Sequence, residues 1–144
     1  MLTINRLDVD EAQILIEGAT VKAREIGVPM CIAVTDESGH LIRFERMNGG
    51  KVSSISIAID KASTSAIARH GTHVYNQLCV PGSPTFGIHI TNGGHFSIIG
   101  GGLPVLIGGE IVGGIGLSSG TAEQDRICAE AAIQHFCMVT GNKA

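Results

Sequence analysis

The chain has 144 residues, of which 44 % are hydrophobic and 16 % charged, with a formal net charge of −3. That length suits one domain around a single core, and no apolar run approaches the roughly 20 residues that cross a bilayer. A slightly acidic chain with only five aromatic rings lacks the basic, ring-bearing surface that nucleic acid requires.

Met1 to Gln13 shows no basic stretch followed by an apolar core, so no export signal is expected and the expected compartment is the cytoplasm. Asp8-Val-Asp-Glu11 reads as a capping box, and Ala12, Leu15, Ala19 and Ile26 recur at helical spacing up to Gly27 and Pro29. Met30–Thr35 is a short apolar strand. Asp36-Glu-Ser-Gly39 is a turn, and His40–Arg46 returns as the second strand of a hairpin. Ser53–His70 carries Ile55, Ile59, Ala62, Ala66 and Ile67 on one helical stripe and stops at Gly71. A turn or short helix over Thr72–Leu78 leads into the loop Cys79-Val-Pro-Gly-Ser-Pro-Thr85. Three more strands are expected: Phe86–Ile90, His95–Ile99 and Glu110–Leu117, with Pro104–Ile107 running toward the Gly108-Gly109 turn. Thr121-Ala-Glu-Gln124 is a second capping box, opening a helix that ends near Gly141. The order α-β-β-α-β-β-β-α, with short connections, implies an α+β fold. Its five-stranded sheet is mainly antiparallel and flanked by helices.

Gly114-Ile-Gly-Leu-Ser-Ser-Gly120 sits where a dinucleotide-binding turn would sit. Such a turn needs a further strand with an acidic residue about 20 residues on, and the residues after Gly120 read as one helix. There is no Gly-Lys-Ser/Thr either, so no nucleotide-binding motif is present. Gly113, Gly114 and Gly116 read instead as places where another backbone or a helix comes close. The N–H groups from Ser119 to Glu123 form a helix N-terminus open to a carboxylate or phosphate. The four cysteines contain no C-x-x-C. Cys128 and Cys137 face opposite sides of a helix, which rules out a disulfide or shared zinc between them. Cys31, Cys128 and Cys137 read as small buried hydrophobes. Cys79 lies in the proline loop, with nothing beside it in sequence to activate its thiol.

Asp36-Glu-Ser-Gly-His-Leu41, Arg46-Met47, Lys61-Ala62, Gly100-Gly-Gly-Leu-Pro104, Val112-Gly113, Gly116-Leu-Ser-Ser-Gly120 and Gln124-Asp125 occur in this order. Together they resemble the GlcG/HbpS-like family, which includes the haem-binding C-terminal domain of PduO-type corrinoid adenosyltransferases and the OrfY proteins. The resemblance runs from about Asp8 to Phe136, so residues 1–144 are expected to form a single domain of this kind. It implies a five-stranded antiparallel sheet flanked by helices, assembled into dimers or octamers. It also implies haem as a cofactor, with a corrinoid as second choice. The family's usual Arg-Met-Asp-Gly-Ala is Arg46-Met-Asn-Gly-Gly50 here, which removes a carboxylate.

Several residues stand out as a candidate site. Arg46 ends the second strand and by alternation shares a face with Ile42 and Phe44. It either caps the sheet edge, pairing with Asp36 or Asp60, or offers its guanidinium to a haem propionate or a small organic acid. Lys61 interrupts a small, apolar helix. It is either a snorkelling surface residue or a partner in a subunit contact, or, as the family motif implies, part of a ligand site. Gly101 and Gly102, in a run of three glycines, and Ser119 complete that ligand-binding set. His70 and His73, at i and i+3, are the axial-ligand candidates, although Gly71 between them ends the helix and His70 also suits a helix C-terminus. His89 and His95 flank the expected hairpin turn Thr91-Asn-Gly-Gly94. The first helix has no histidine and offers iron no imidazole.

Three functions fit these residues. One is haem or tetrapyrrole binding in a catabolic or cofactor-handling setting. A second is an isomerase, lyase or hydrolase acting on a carboxylated catabolite, with Arg46 holding the acid and Lys61, His70 or His73 moving a proton. A third is a non-catalytic oligomeric partner of an operon enzyme. No Ser-His-Asp order, paired carboxylates or strong metal motif raises the enzyme above the binder, so tetrapyrrole binding is the expectation. A homo-oligomer is expected from the small residues Ser56, Ala58, Ala62, Ser63, Ser65 and Ala66 beside Ile57, which leave a smooth helix face.

Overall fold

A computed structural model describes all 144 residues. Helix α1 (Val9–Ile26) starts where Asp8 accepts the N–H groups of Asp10 and Glu11, and the Glu11 side chain returns to the Asp8 N–H at 2.9 Å. It stops at Gly27, whose left-handed backbone lets its N–H reach the carbonyls of Ala23 and Arg24. Strands β1 (Cys31–Asp36) and β2 (Leu41–Arg46) form the expected hairpin. Asp36 Oδ1 holds its turn by accepting the N–H groups of Ser38 and His40, each at 2.9 Å. Helices α2 (Ser54–Ala68) and α3 (Thr72–Leu78) follow, then β3 (Gly102–Ile107), β4 (Glu110–Ser118) and α4 (Ala122–Thr140). A capping box at Thr121 and Gln124 opens α4, as the sequence implies.

The sheet is antiparallel throughout, in the order β2-β1-β4-β3. Every residue of β1 is buried, because helices cover both faces of the sheet. On one face α1 and α4 close a core containing Leu15, Ile16, Ile32, Val34, Ile115, Leu117 and Phe136. On the other, Ala58 and Ala62 of α2 pack on Cys31 and Ala33. Helix α2 lies unusually close to β4. A methyl group on Gly114 would run into Ala62 O, and one on Gly116 into Ala58 O. These strand glycines therefore admit a helix backbone, as expected.

The architecture is α+β, but the sheet has four strands rather than five. Phe86–Ile90 and His95–Ile99 are not strands. The chain there makes 3₁₀ turns at Ile88–Ile90 and Asn92–Gly94. Positive φ at Gly87, Gly93 and Gly94 breaks the extended backbone that the alternating apolar residues suggest. Conversely, Pro104–Ile107 belongs to a full strand, β3, whose edge position tolerates a proline without an N–H. A bulge in the β1–β2 pairing sets Val34 opposite Arg43 and Thr35 opposite Leu41, leaving Ile42 as the extra residue. Ile42 therefore packs on the α1–α4 side while Phe44 packs on the α2 side, and the shared face expected for Ile42, Phe44 and Arg46 is broken. The small residues of α2 also have a different use from the one expected. Ala58, Ala62, Ser65 and Ala66 are buried within the protomer against the sheet, so they offer no smooth face to another copy. No helix is long and apolar enough to cross a membrane.

Candidate functional site

The chain brings the motif residues to one end of the sheet, where β2 and β4 finish and β1 and β3 begin. Arg46 and Ser118 both pair with Cys31 there, and the Leu117 N–H donates to Gly101 O at 3.0 Å.

Behind this edge lies a buried ion pair. Lys61 is 1 % exposed and Asp125 2 %. The Lys61 ammonium donates to Asp125 Oδ2 at 2.8 Å and to Leu117 O at 2.9 Å. Asp125 Oδ1 accepts the Gly120 N–H at 3.0 Å. Burial pushes the Asp125 carboxyl above its usual range, while Lys61 and the Gly120 amide pull it back. Lys61 is thus neither a snorkelling surface residue nor an intersubunit partner. The close approach of α2 to β4 carries it inside, and Asp125 neutralises it.

Gly101 and Gly102 cover this pair. Gly101 has φ +123, and a methyl group on it would lie 2.7 Å from Asp125 Cβ, 2.9 Å from Leu117 O and 3.0 Å from Lys61 Nζ. The Gly102 N–H donates to Thr72 Oγ1 at 2.9 Å, and a side chain at Gly102 would collide with Lys61 O. Gly101→Val should therefore cost about 1–3 kcal/mol for the backbone conformation alone, measured as a lower urea midpoint. An unchanged midpoint would show that the loop tolerates a side chain.

Ser119 holds φ +113, unusual for a residue with a side chain. Its hydroxyl accepts the Lys51 N–H at 3.0 Å. Arg46 is exposed and takes part in no ion pair, because its expected partners are occupied. Asp36 lies 3.7 Å from Arg6, and Asp60 holds His95 at 3.0 Å. Arg46 instead lines a cleft of about 500 Å³ with Arg24, Glu45, Met47 and Asn48.

His73 stands on the outer side of the glycine loop, its Cβ 3.2 Å from where a Gly100 side chain would begin. Its Nδ1 is the single buried side-chain nitrogen or oxygen with no hydrogen-bond partner. Burial first, then Arg126, pushes its pKa below the usual histidine range, with Glu130 opposing. The imidazole is therefore neutral at physiological pH and keeps a lone pair. His70 is not on the same helix face, contrary to the spacing. Helix α2 ends at Ala68 because Arg69 turns left-handed at φ +63, and His70 lies edge-on to Tyr75, with ring centroids 6.3 Å apart. His89 and His95 do not meet across strands; their nearest polar partners are Cys79 Sγ, at 3.1 Å from His89 Nδ1, and Asp60. No three His, Cys, Asp or Glu side chains converge as a metal-binding group.

Haem needs an iron ligand, cations for its propionates and an apolar cover. His73 supplies the nitrogen, and Arg126, which acts on His73 and pairs with Glu130 at 2.9 Å, supplies charge. The stretch from Leu78 to Ile99 exposes Leu78, Val80, Phe86, Ile90 and Ile99. None of the four main clefts is lined by a histidine. The donor groups fit haem, but one protomer does not enclose it.

Residues 7–134 match the family model described as haem degrading protein HbpS-like. The chain belongs to this family. It is 38 % identical over 125 residues to a 15.0 kDa protein encoded in the dhaT–dhaS intergenic region of Citrobacter freundii, covering 87 % of this chain and 88 % of the relative. The crystal structure of Klebsiella pneumoniae ORFY superposes with a TM-score of 0.92 at 32 % identity over 94 % of both chains. The crystal structure of a PduOC–heme complex does so with a TM-score of 0.86 at 28 % identity, over 90 % of this chain and 94 % of that one.

In this HbpS-like chain, Asp125 is the residue that sequence reasoning passed over. Two signals pointed to it: the Gln124-Asp125 motif, and a lysine in an apolar helix, which needs a buried partner.

Proposed function

We propose that this chain binds haem or a closely related tetrapyrrole, in a catabolic or cofactor-handling setting. Its likeness to a relative crystallised with heme, over 90 % of this chain, carries the reading, and His73, whose neutral form burial favours, supports it. Nδ1 is buried, so Nε2 would be the ligating atom. His73 would hold the iron, with Arg126 at the propionates. Lys61, Asp125, Gly101 and Gly102 would serve as the frame that fixes the glycine loop beside His73. Arg46 stands on β2, at the opposite edge of the sheet from β3, roughly 14 Å away across three strand spacings. One ligand reaching both His73 and Arg46 therefore needs a second copy, and a second copy would also supply the missing apolar wall. On this reading the protein works as a homo-oligomer, a dimer or an octamer. A corrinoid is the second choice of ligand.

A second reading rests on the cleft shared by Arg24 and Arg46, whose size and two unpaired guanidiniums suit a small carboxylate. Hemin titration of variants separates the two. His73→Ala should shift the Soret band, and His70→Ala should leave it in place. Arg46→Ala should weaken binding by about 1–3 kcal/mol without moving the band. If no histidine variant alters the spectrum, and a dicarboxylate raises the melting temperature of wild type but not of Arg46→Ala, the small-acid reading replaces this one.

A further inference from the structure

The loop after α3 folds back on itself. Cys79 ends the helix, its N–H donating to Tyr75 O at 2.8 Å. The Thr85 hydroxyl then donates to Leu78 O at 2.5 Å, the Phe86 N–H to Ser83 O at 3.0 Å and the Ile90 N–H to Gly87 O at 3.1 Å. These bonds bring His89 Nδ1 to 3.1 Å from Cys79 Sγ, although the two residues are ten apart in sequence. Cys79 is partly open to solvent and His89 is exposed. The chain carries no carboxylate between Lys61 and Glu110, and Asp60 is held by His95. An approaching anionic or neutral disulfide therefore meets little repulsion from this segment.

We propose that Cys79 and His89 form a reactive thiol–imidazole pair that exchanges with small disulfides. The pairing supplies what the sequence around Cys79 lacks: a base within hydrogen-bond reach of the thiol. As Sγ attacks one sulfur of the incoming disulfide, Nδ1 takes the thiol proton. The disulfide bond breaks, its second sulfur leaves as a thiolate, and that thiolate is protonated by the imidazolium. Cys79 is left as a mixed disulfide and one small thiol is released, so the incoming disulfide is the sole oxidant. The other three cysteines are poorly placed for this chemistry. Cys31 and Cys128 are buried, and burial raises both thiol pKa values, that of Cys128 to about 11. Cys137 is partly buried like Cys79 but has no imidazole bonded to it, which makes it an internal control.

The test uses reduced, haem-free protein at neutral pH with oxidised glutathione as the probe, followed by intact mass and peptide mapping. It is therefore independent of the tetrapyrrole reading. A single adduct should form on Cys79, at least about tenfold faster than on Cys137, and His89→Ala should slow it by about tenfold or more. Far-UV circular dichroism should stay unchanged in that variant, since His89 is exposed, and Cys79→Ser should form no fast adduct. Equal rates at Cys79 and Cys137, or an unaltered rate in folded His89→Ala, would overturn the proposal.

Discussion

Asp125→Ala should destabilise the protein by about 3–5 kcal/mol, read as a lowered urea midpoint at unchanged slope. The variant leaves the Lys61 ammonium buried with only Leu117 O as a partner, and strips the Gly120 N–H of its acceptor. An uncompensated charge inside a dry site costs far more than the lost attraction of a surface pair. The loss should be largely reversible by design. Lys61→Met combined with Asp125→Leu removes both charges at similar volume, and buried pairs replaced in this way are often neutral in stability. The double variant should therefore be more stable than Asp125→Ala. A single variant within about 1 kcal/mol of wild type would mean that Lys61 finds water or another partner.

Gly116→Val should be at least as damaging, costing more than about 4 kcal/mol or preventing folding. The Gly116 site faces the α2 backbone, with Ala58 O and Ala62 N directly in the path of any side chain. Rigid helix backbone cannot yield as a flexible side chain can, so α2 would have to lift from β4, and Lys61 would lift with it. Gly82→Ala is the control. Nothing lies within 4 Å of a side chain there, and only its left-handed backbone is strained, at about 1 kcal/mol. Similar thermal midpoints for the two variants would refute close helix–sheet packing as the role of Gly116.

Much of the fold was legible because it rests on local chemistry. Asp8 with Glu11, and Thr121 with Gln124, mark helix starts within four residues, and Asp36 to His40 writes its own turn. The stretch from Phe86 to Ile99 misled because Phe86, Ile88 and Ile90 alternate like a strand. Whether Gly87, Gly93 and Gly94 take positive φ is decided by the turns they close, which periodicity does not report. Strand alternation likewise gave Ile42 the wrong face, since one bulged residue inverts everything before it. At the candidate site, Lys61, Gly101 and Gly102 of the motif lie against one another. The motif did not reveal that Lys61 is buried, because its partner Asp125 is 64 residues away. The spacing of His70 and His73 allows a shared helix face only if the helix runs through Gly71, and it stops earlier, at the left-handed turn of Arg69. The contact between Cys79 and His89 was likewise hidden, because it depends on closure of an irregular loop.

Titration of hemin into the purified protein, followed by absorbance, tests tetrapyrrole binding most directly. Saturable uptake at one hemin per chain, with a Soret band displaced from that of free hemin and altered in His73→Ala, is the expected result. Uptake that rises without saturation, with the spectrum of free hemin throughout, would contradict it.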